Sequence, residues 1–317
     1  MKYPYIIDGH CDSLIHFVNG ERTLQDPTEG GQWDTPRARS AGVALQFLAA
    51  YIEAEYKPFM ATARGLQLIE GALRFLTDHP EQVFLVIGKQ DLKRIPDPGR
   101  IGILLSVEGG EILGQNLFML DIIYQLGVRA LGLTWNQRNA LADGVGEADT
   151  RSRLTNLGQE VVLRMNTLGM LIDVSHLNEE GFWHVLDLSK APVAATHSCA
   201  KALCNHPRNL SDEQLRTLAK HKGVLGVNFY PQFLKESGPA TREDVVRHIC
   251  HIAEIAGVET VGLGSDFDGI SEVPGGLEHV GEYSYLMDDL LKAGFSVKEV
   301  ELIAGGNFMR LLSDVLK

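Results

Sequence analysis

Cysteine is scarce in this chain. Only Cys11, Cys199, Cys204 and Cys250 occur among 317 residues, and no pair has CxxC spacing. That excludes a disulfide framework and points to reduced thiols. No apolar run approaches the ~18 uninterrupted residues of a membrane span. The first residues, MKYPYIIDGH, show no secretory apolar segment, and the last, LLSDVLK, show no anchor signal. A soluble, cytoplasmic protein is expected. Basic charge is also in deficit, with 29 Lys and Arg against 41 Asp and Glu, a net charge of −12. Nucleic acid and membrane surfaces are therefore excluded as main partners. No GxGxxG stretch marks a dinucleotide site. What is present is an ordinary globular composition, 44% hydrophobic and 22% charged, in a chain long enough to bury a core.

Strand-like and helix-like stretches alternate along most of the sequence. Strands are expected at 5–8, 43–51, 102–109, 128–135, 170–176, 192–198, 223–230 and 260–269. VFLVI at 83–87 reads as an extra strand or as part of a long second loop. Helical patterns include 61–77, 116–126, 154–168, 211–221, 241–256 and 283–293, and 296–317 closes the chain. The strand interiors are nearly continuous apolar runs, as parallel strands buried on both faces require. One domain over residues 1–317 is expected, an α/β fold of the (β/α)8 TIM-barrel type with a C-terminal helical extension.

The polar residues gather where those strands end. The first runs through YIID into Gly9-His10-Cys11-Asp12, and others end at Glu108, Thr134-Trp135-Asn136, Asp173 to His176, His197 and Asp266. In a barrel, all C-terminal strand ends open into one mouth. His10, Asp12, Glu108, His176, His197 and Asp266 are thus expected to converge, and three His with three carboxylates suit zinc or a similar borderline ion. His10 and Asp12, two apart on an extended segment, leave from the same face.

DGHCD, SVEGG, IDVSH, ATHS followed by NHPRN, and GLGSDFDG, in this order and closed by GGNFMRLL, resemble the membrane (renal) dipeptidase family, peptidase family M19 of the amidohydrolase superfamily. The resemblance covers nearly the whole chain. It implies that His10 and Asp12 bind one zinc, that Glu108 bridges two zincs, and that His176 and His197 bind the second. It further implies that Arg208 holds the substrate carboxylate and that Asp266 is the acid/base. The implied cofactor is a pair of zinc ions, with other divalent transition metals as substitutes.

The implied reaction is dipeptide hydrolysis through a metal-bridging hydroxide, with substrates that include a D residue at the C-terminus. A metal pair lowers the pKa of bound water and polarises the scissile carbonyl, and Asp266 passes a proton to the leaving amine. Arg208, in a loop before a helix capped near Ser211, suits a bidentate grip on a free C-terminal carboxylate. Asp268 is read as structural, and Tyr230 as facing the mouth to bond substrate or to pack. His248 and His251 read as a partly exposed helix face, and His16 and His206 have no partner pattern. One departure stands out: many renal-type relatives have His after LT where this chain has Trp135. Trp135 is expected to wall the substrate pocket. The alternative activity is hydrolysis of an N-acyl amino acid or lactone on the same metals, and the alternative class is a binding protein that keeps the barrel. A small-molecule dipeptide is the expected partner, and a homodimer is compatible with the sequence.

Overall fold

The computed structural model describes residues 5–95 and 99–317. Nine parallel strands occur among them: β1 (Ile6–Cys11), β2 (Val43–Tyr51), β3 (Val83–Leu85), β4 (Ile101–Glu108), β5 (Val128–Gly132), β6 (Leu171–Asp173), β7 (Ala194–Ser198), β8 (Val224–Val227) and β9 (Val261–Leu263). Eight close into a ring in the order β1-β2-β4-β5-β6-β7-β8-β9, with β9 returning to β1. This is the expected (β/α)8 barrel.

The ninth, β3, lies within the 83–87 stretch and stays outside the ring. It pairs with Ile101 to Ile103 of β4, while β5 pairs with Leu105 to Glu108 further along the same strand. One edge of β4 therefore serves two strands in succession.

Consecutive strand residues divide between two apolar cores. Leu104, Ala130, Leu171, Ala194 and Val224 belong to one cluster, and their neighbours Leu105, Leu131, Ile172, Ala195 and Leu225 to the other. The period-2 alternation of a strand sends one set into the barrel and the other against the surrounding helices. Those helices start at local signals legible in sequence. Ser211 and Gln214 form a reciprocal capping box at Asp212–Lys220, and Thr155 and Asn178 cap the helices at Asn156–Leu168 and Glu179–Leu188.

The C-terminal extension is broken where the sequence suggested one helix over 296–317. A helix at Val297–Glu301 widens into a π turn at Leu302–Gly306 and resumes as Asn307–Val315. Asn307 donates from Nδ2 to the carbonyls of Val258 and Val261, both at 2.7 Å. That fixes Phe308 inside the base of the barrel, 5.4 Å from the Phe47 ring. Gly9 makes room for it: a Cβ there would stand 2.7 Å from the Phe308 ring. Among the described residues, no helix is long and apolar enough to cross a membrane.

Candidate metal centre at the barrel mouth

At the opposite end, β1 leads into His10 and Asp12. The strand is pinned by Asp8, fully buried, which accepts from the Ser265 amide at 2.9 Å and from the Ser265 and Tyr283 hydroxyls at 2.7 Å each. This network ties β1 to the segment that carries Asp266. Gly269 is required by close approach, since a Cβ there would lie 2.1 Å from Asp12 Oδ2.

Six side chains then form two adjoining groups. In the first, His10 Nε2 stands 3.3 Å from Asp12 Oδ2 and 3.3 Å from Glu108 Oε2, with Asp266 Oδ1 at 3.8 Å. In the second, His176 Nε2 lies 2.9 Å from His197 Nε2 and 2.8 Å from Glu108 Oε1. Glu108 thus turns one oxygen to each group. His10 Nε2 and Asp12 Oδ1 are buried without a hydrogen-bond partner.

The surrounding hydrogen bonds set the two tautomers. His176 Nδ1 donates to Asn136 Oδ1 at 2.7 Å. His197 Nδ1 lies 2.9 Å from Thr196 Oγ1, and that hydroxyl donates its own proton to Asp173 Oδ2 at 2.5 Å, so it accepts from the imidazole. Each Nδ1 therefore carries the proton and each Nε2 presents a lone pair. Two lone pairs facing at 2.9 Å repel unless a cation is shared between or beside them. This is the arrangement in which metal-binding histidines are held by their other nitrogen.

The charge states point the same way. Burial, with the nearby Arg208 cation, lowers His176 to about 3, and burial and the other two imidazoles hold His197 well below the ordinary range. Both are neutral at neutral pH. Burial opposes protonation of His10, but the Asp12 and Glu108 carboxylates carry it well above an ordinary histidine. Burial raises Asp12 against the pull of His10, and it raises Asp266 with help from the Glu108 charge. Buried carboxylates that draw a proton onto His10 are short of positive charge. Imidazole nitrogens and carboxylate oxygens within 4.8 Å of one another fit a zinc-type ion in each group.

Two residues lie beyond strands that the sequence extended to them. β6 stops at Asp173 and β9 at Leu263, and His176 and Asp266 occupy turns with φ of 64° and 65°. Non-glycine residues seldom adopt that region, and such strain concentrates at functional sites. By distance Asp173 also groups with His10 and His197, but its oxygens are taken by the Ser175 and Thr196 amides and the Thr196 hydroxyl. It orients His197 through Thr196.

The mouth is a cavity of about 580 Å³. Arg208, Trp135, Tyr230 and Asp266 line it beside the metal groups. Arg208 is buried and bonds β7, through Nη2 to the His197 carbonyl at 3.0 Å and through Nη1 to Ser198 Oγ at 3.3 Å, while its Nε has no partner. Asn228 holds Asp266 by donating to Oδ2 at 2.8 Å. Tyr230 packs edge-on against Phe233, ring centres 5.0 Å apart. Asp268 does structural work, binding Arg22 at 2.6 Å, the Ser13 hydroxyl at 2.5 Å and the Gln32 amide at 2.7 Å.

His16 and His206 also line the cavity, and sequence reasoning passed over both. His206 had a usable signal, two residues before Arg208 in NHPRN; His16 had none. The reading of His248 and His251 as a partly exposed helix face is corrected for His248. It is 1% exposed, accepts from the Ala200 amide and donates to the Leu234 carbonyl, while His251 pairs with Asp212.

The sequence model of the membrane dipeptidase family, peptidase family M19, matches residues 1–317. Dipeptidase aclJ of Aspergillus oryzae is 33% identical over 329 residues, covering 98% of this chain and 78% of the relative. The crystal structure of the dipeptidase AC, a family M19 metallopeptidase, superposes with a TM-score of 0.92 at 29% identity, covering 98% of each chain. A Rhodobacter sphaeroides metallopeptidase, solved with a phosphinate mimic of the dipeptide L-Ala-D-Ala, gives a TM-score of 0.92 at 29% identity over 99% of each chain.

Proposed function

The chain belongs to the membrane dipeptidase family, peptidase family M19, and on that premise we propose that its mouth is a two-zinc centre for hydrolysing dipeptides. Membership makes it a metal-dependent dipeptidase, a hydrolase. The observation that carries the two-ion reading is Glu108, whose two oxygens face two separate groups, one at His10 and one at His176. His10 and Asp12 would hold one ion, His176 and His197 the other, with Glu108 shared. Bound there, the ions supply an activated water and Lewis-acid polarisation of the scissile carbonyl.

The chain's own groups do the rest. Asp266 takes a proton from the attacking water at Oδ1, its other oxygen being held by Asn228, and delivers that proton to the leaving amine. Arg208 turns its unpartnered Nε toward the C-terminal carboxylate, and the charge-assisted bond selects substrates that end one residue after the scissile bond. Tyr230 lines the pocket with its ring packed on Phe233, and Trp135 walls the pocket and excludes water. A D residue at the C-terminus is included among the substrates, supported by the phosphinate mimic of L-Ala-D-Ala bound to the Rhodobacter relative. The four free cysteines accord with work in the cytoplasm.

The test is a panel of dipeptides with L and D residues at each position, run beside N-acyl amino acids and lactones, on zinc-loaded and chelated protein. Zinc-dependent turnover that is fastest on dipeptides is expected. Faster turnover of the N-acyl amino acids or lactones, or full activity after chelation, would overturn the proposal.

A further inference from the structure

A second cavity, about 680 Å³, adjoins the first. Lys57, Phe59, Glu111 and Arg138 line it, and none of them lines the metal cavity. Between the two lie Tyr51 and Trp135, which face the metal side, with ring centres 5.5 Å apart. The Lys57 ammonium stands behind both rings, 5.1 Å from Trp135 and 5.5 Å from Tyr51, at cation–π range. Glu111 Oε1 holds it at 3.4 Å. The Lys57 ammonium and both Glu111 oxygens are buried and have no hydrogen-bond partner.

The position of this double layer follows from the ring of strands. Arg208 is bonded to β7, and Tyr51 ends β2, four strands away in either direction. A substrate anchored at Arg208 and crossing the metal groups therefore directs its N-terminal end at Tyr51 and Trp135. Each further residue adds about 3.3–3.6 Å of extended chain. We propose that Tyr51 and Trp135, braced from behind by Lys57 and Glu111, form the partition that stops the substrate at two residues. The second cavity is the space that a third, N-terminal residue would need. The partition deepens the dipeptidase reading and rests on it.

The experiment compares one dipeptide with the tripeptide that extends it by an N-terminal glycine. It uses the zinc-loaded wild type, Trp135→Ala and Lys57→Ala, with metal content measured in each. The wild type should favour the dipeptide by at least about 100-fold in kcat/KM. Trp135→Ala should narrow that ratio by about tenfold or more, chiefly through a lower KM for the tripeptide, and Lys57→Ala by roughly threefold. Should Trp135→Ala fail to fold, the Lys57→Ala ratio decides. An unchanged ratio in a variant that keeps its metal and cleaves the dipeptide would overturn the partition, as would a wild type that takes both peptides alike. A wild type inert on every dipeptide would overturn the dipeptidase reading itself, and the partition with it.

Discussion

The two ends of one barrel are built on opposite rules. At the base, Phe308 fills the interior against Phe47, Leu45 and Leu104, and Asn307 satisfies two carbonyls in passing. At the mouth, Asp12 Oδ1 and Arg208 Nε are buried and unpartnered, and two imidazole lone pairs face each other. Orphaned groups of that kind cost about 1–3 kcal/mol each. The fold is held by apolar packing at the base, and the mouth that this packing keeps in place is left with polar groups free for ligands.

Substitutions at the two ends should therefore separate function from stability. The largest effect is expected from Glu108→Gln. It should lower turnover by at least about 10³-fold and strip metal, because it removes the charge shared by both groups. The metal-free variant should lose far less stability than a cavity at the base costs, since the near-isosteric change leaves the apolar packing intact. Parallel losses of metal-free stability and activity would erase the distinction between the ends.

Phe308→Ala is the converse. It should cost about 3–5 kcal/mol of stability, measured by denaturant unfolding, through the cavity left at the base. Its turnover per folded, metal-loaded molecule should stay near that of wild type. Arg208→Met comes next, at roughly 1.5–3 kcal/mol of substrate binding. Dipeptides amidated at the C-terminus should lose much less from it than free dipeptides, and equal losses would refute the carboxylate grip.

The smallest effect belongs to Trp135→Phe, which keeps an apolar ring and removes the indole N–H. Turnover on the best dipeptide should change less than about tenfold, with altered side-chain preference. A missing donor to the developing oxyanion costs on the order of 10²- to 10³-fold. A fall of that size with metal content unchanged would make the indole a donor and end its reading as a wall.

The sequence carried the barrel because its signals are local and repeated: apolar runs buried on both faces, and polar residues at their ends. It brought His10, Asp12, Glu108, His176, His197 and Asp266 to one mouth for that reason. It did not carry the left-handed turns at His176 and Asp266, since positive φ on a non-glycine residue is imposed by tertiary packing and leaves no compositional trace. Nor did it reveal the break at 302–306, where apolar spacing continues through the π turn. His16, Tyr51 and Lys57 reach the mouth or its wall from parts of the chain with no metal-ligand spacing. His248 sits on a helix whose outward appearance in sequence hides the Ala200 and Leu234 backbone groups that bury it.

Two ions at the mouth with Glu108 between them would give a distinct diffraction signature. The measurement is anomalous diffraction at the zinc edge, on crystals of the zinc-loaded active enzyme. Two peaks are predicted, one against His10 and Asp12 and the other against His176 and His197, each touching a different oxygen of Glu108. A single peak, or none, in crystals grown from a preparation that hydrolyses dipeptides at full rate would contradict the two-ion reading.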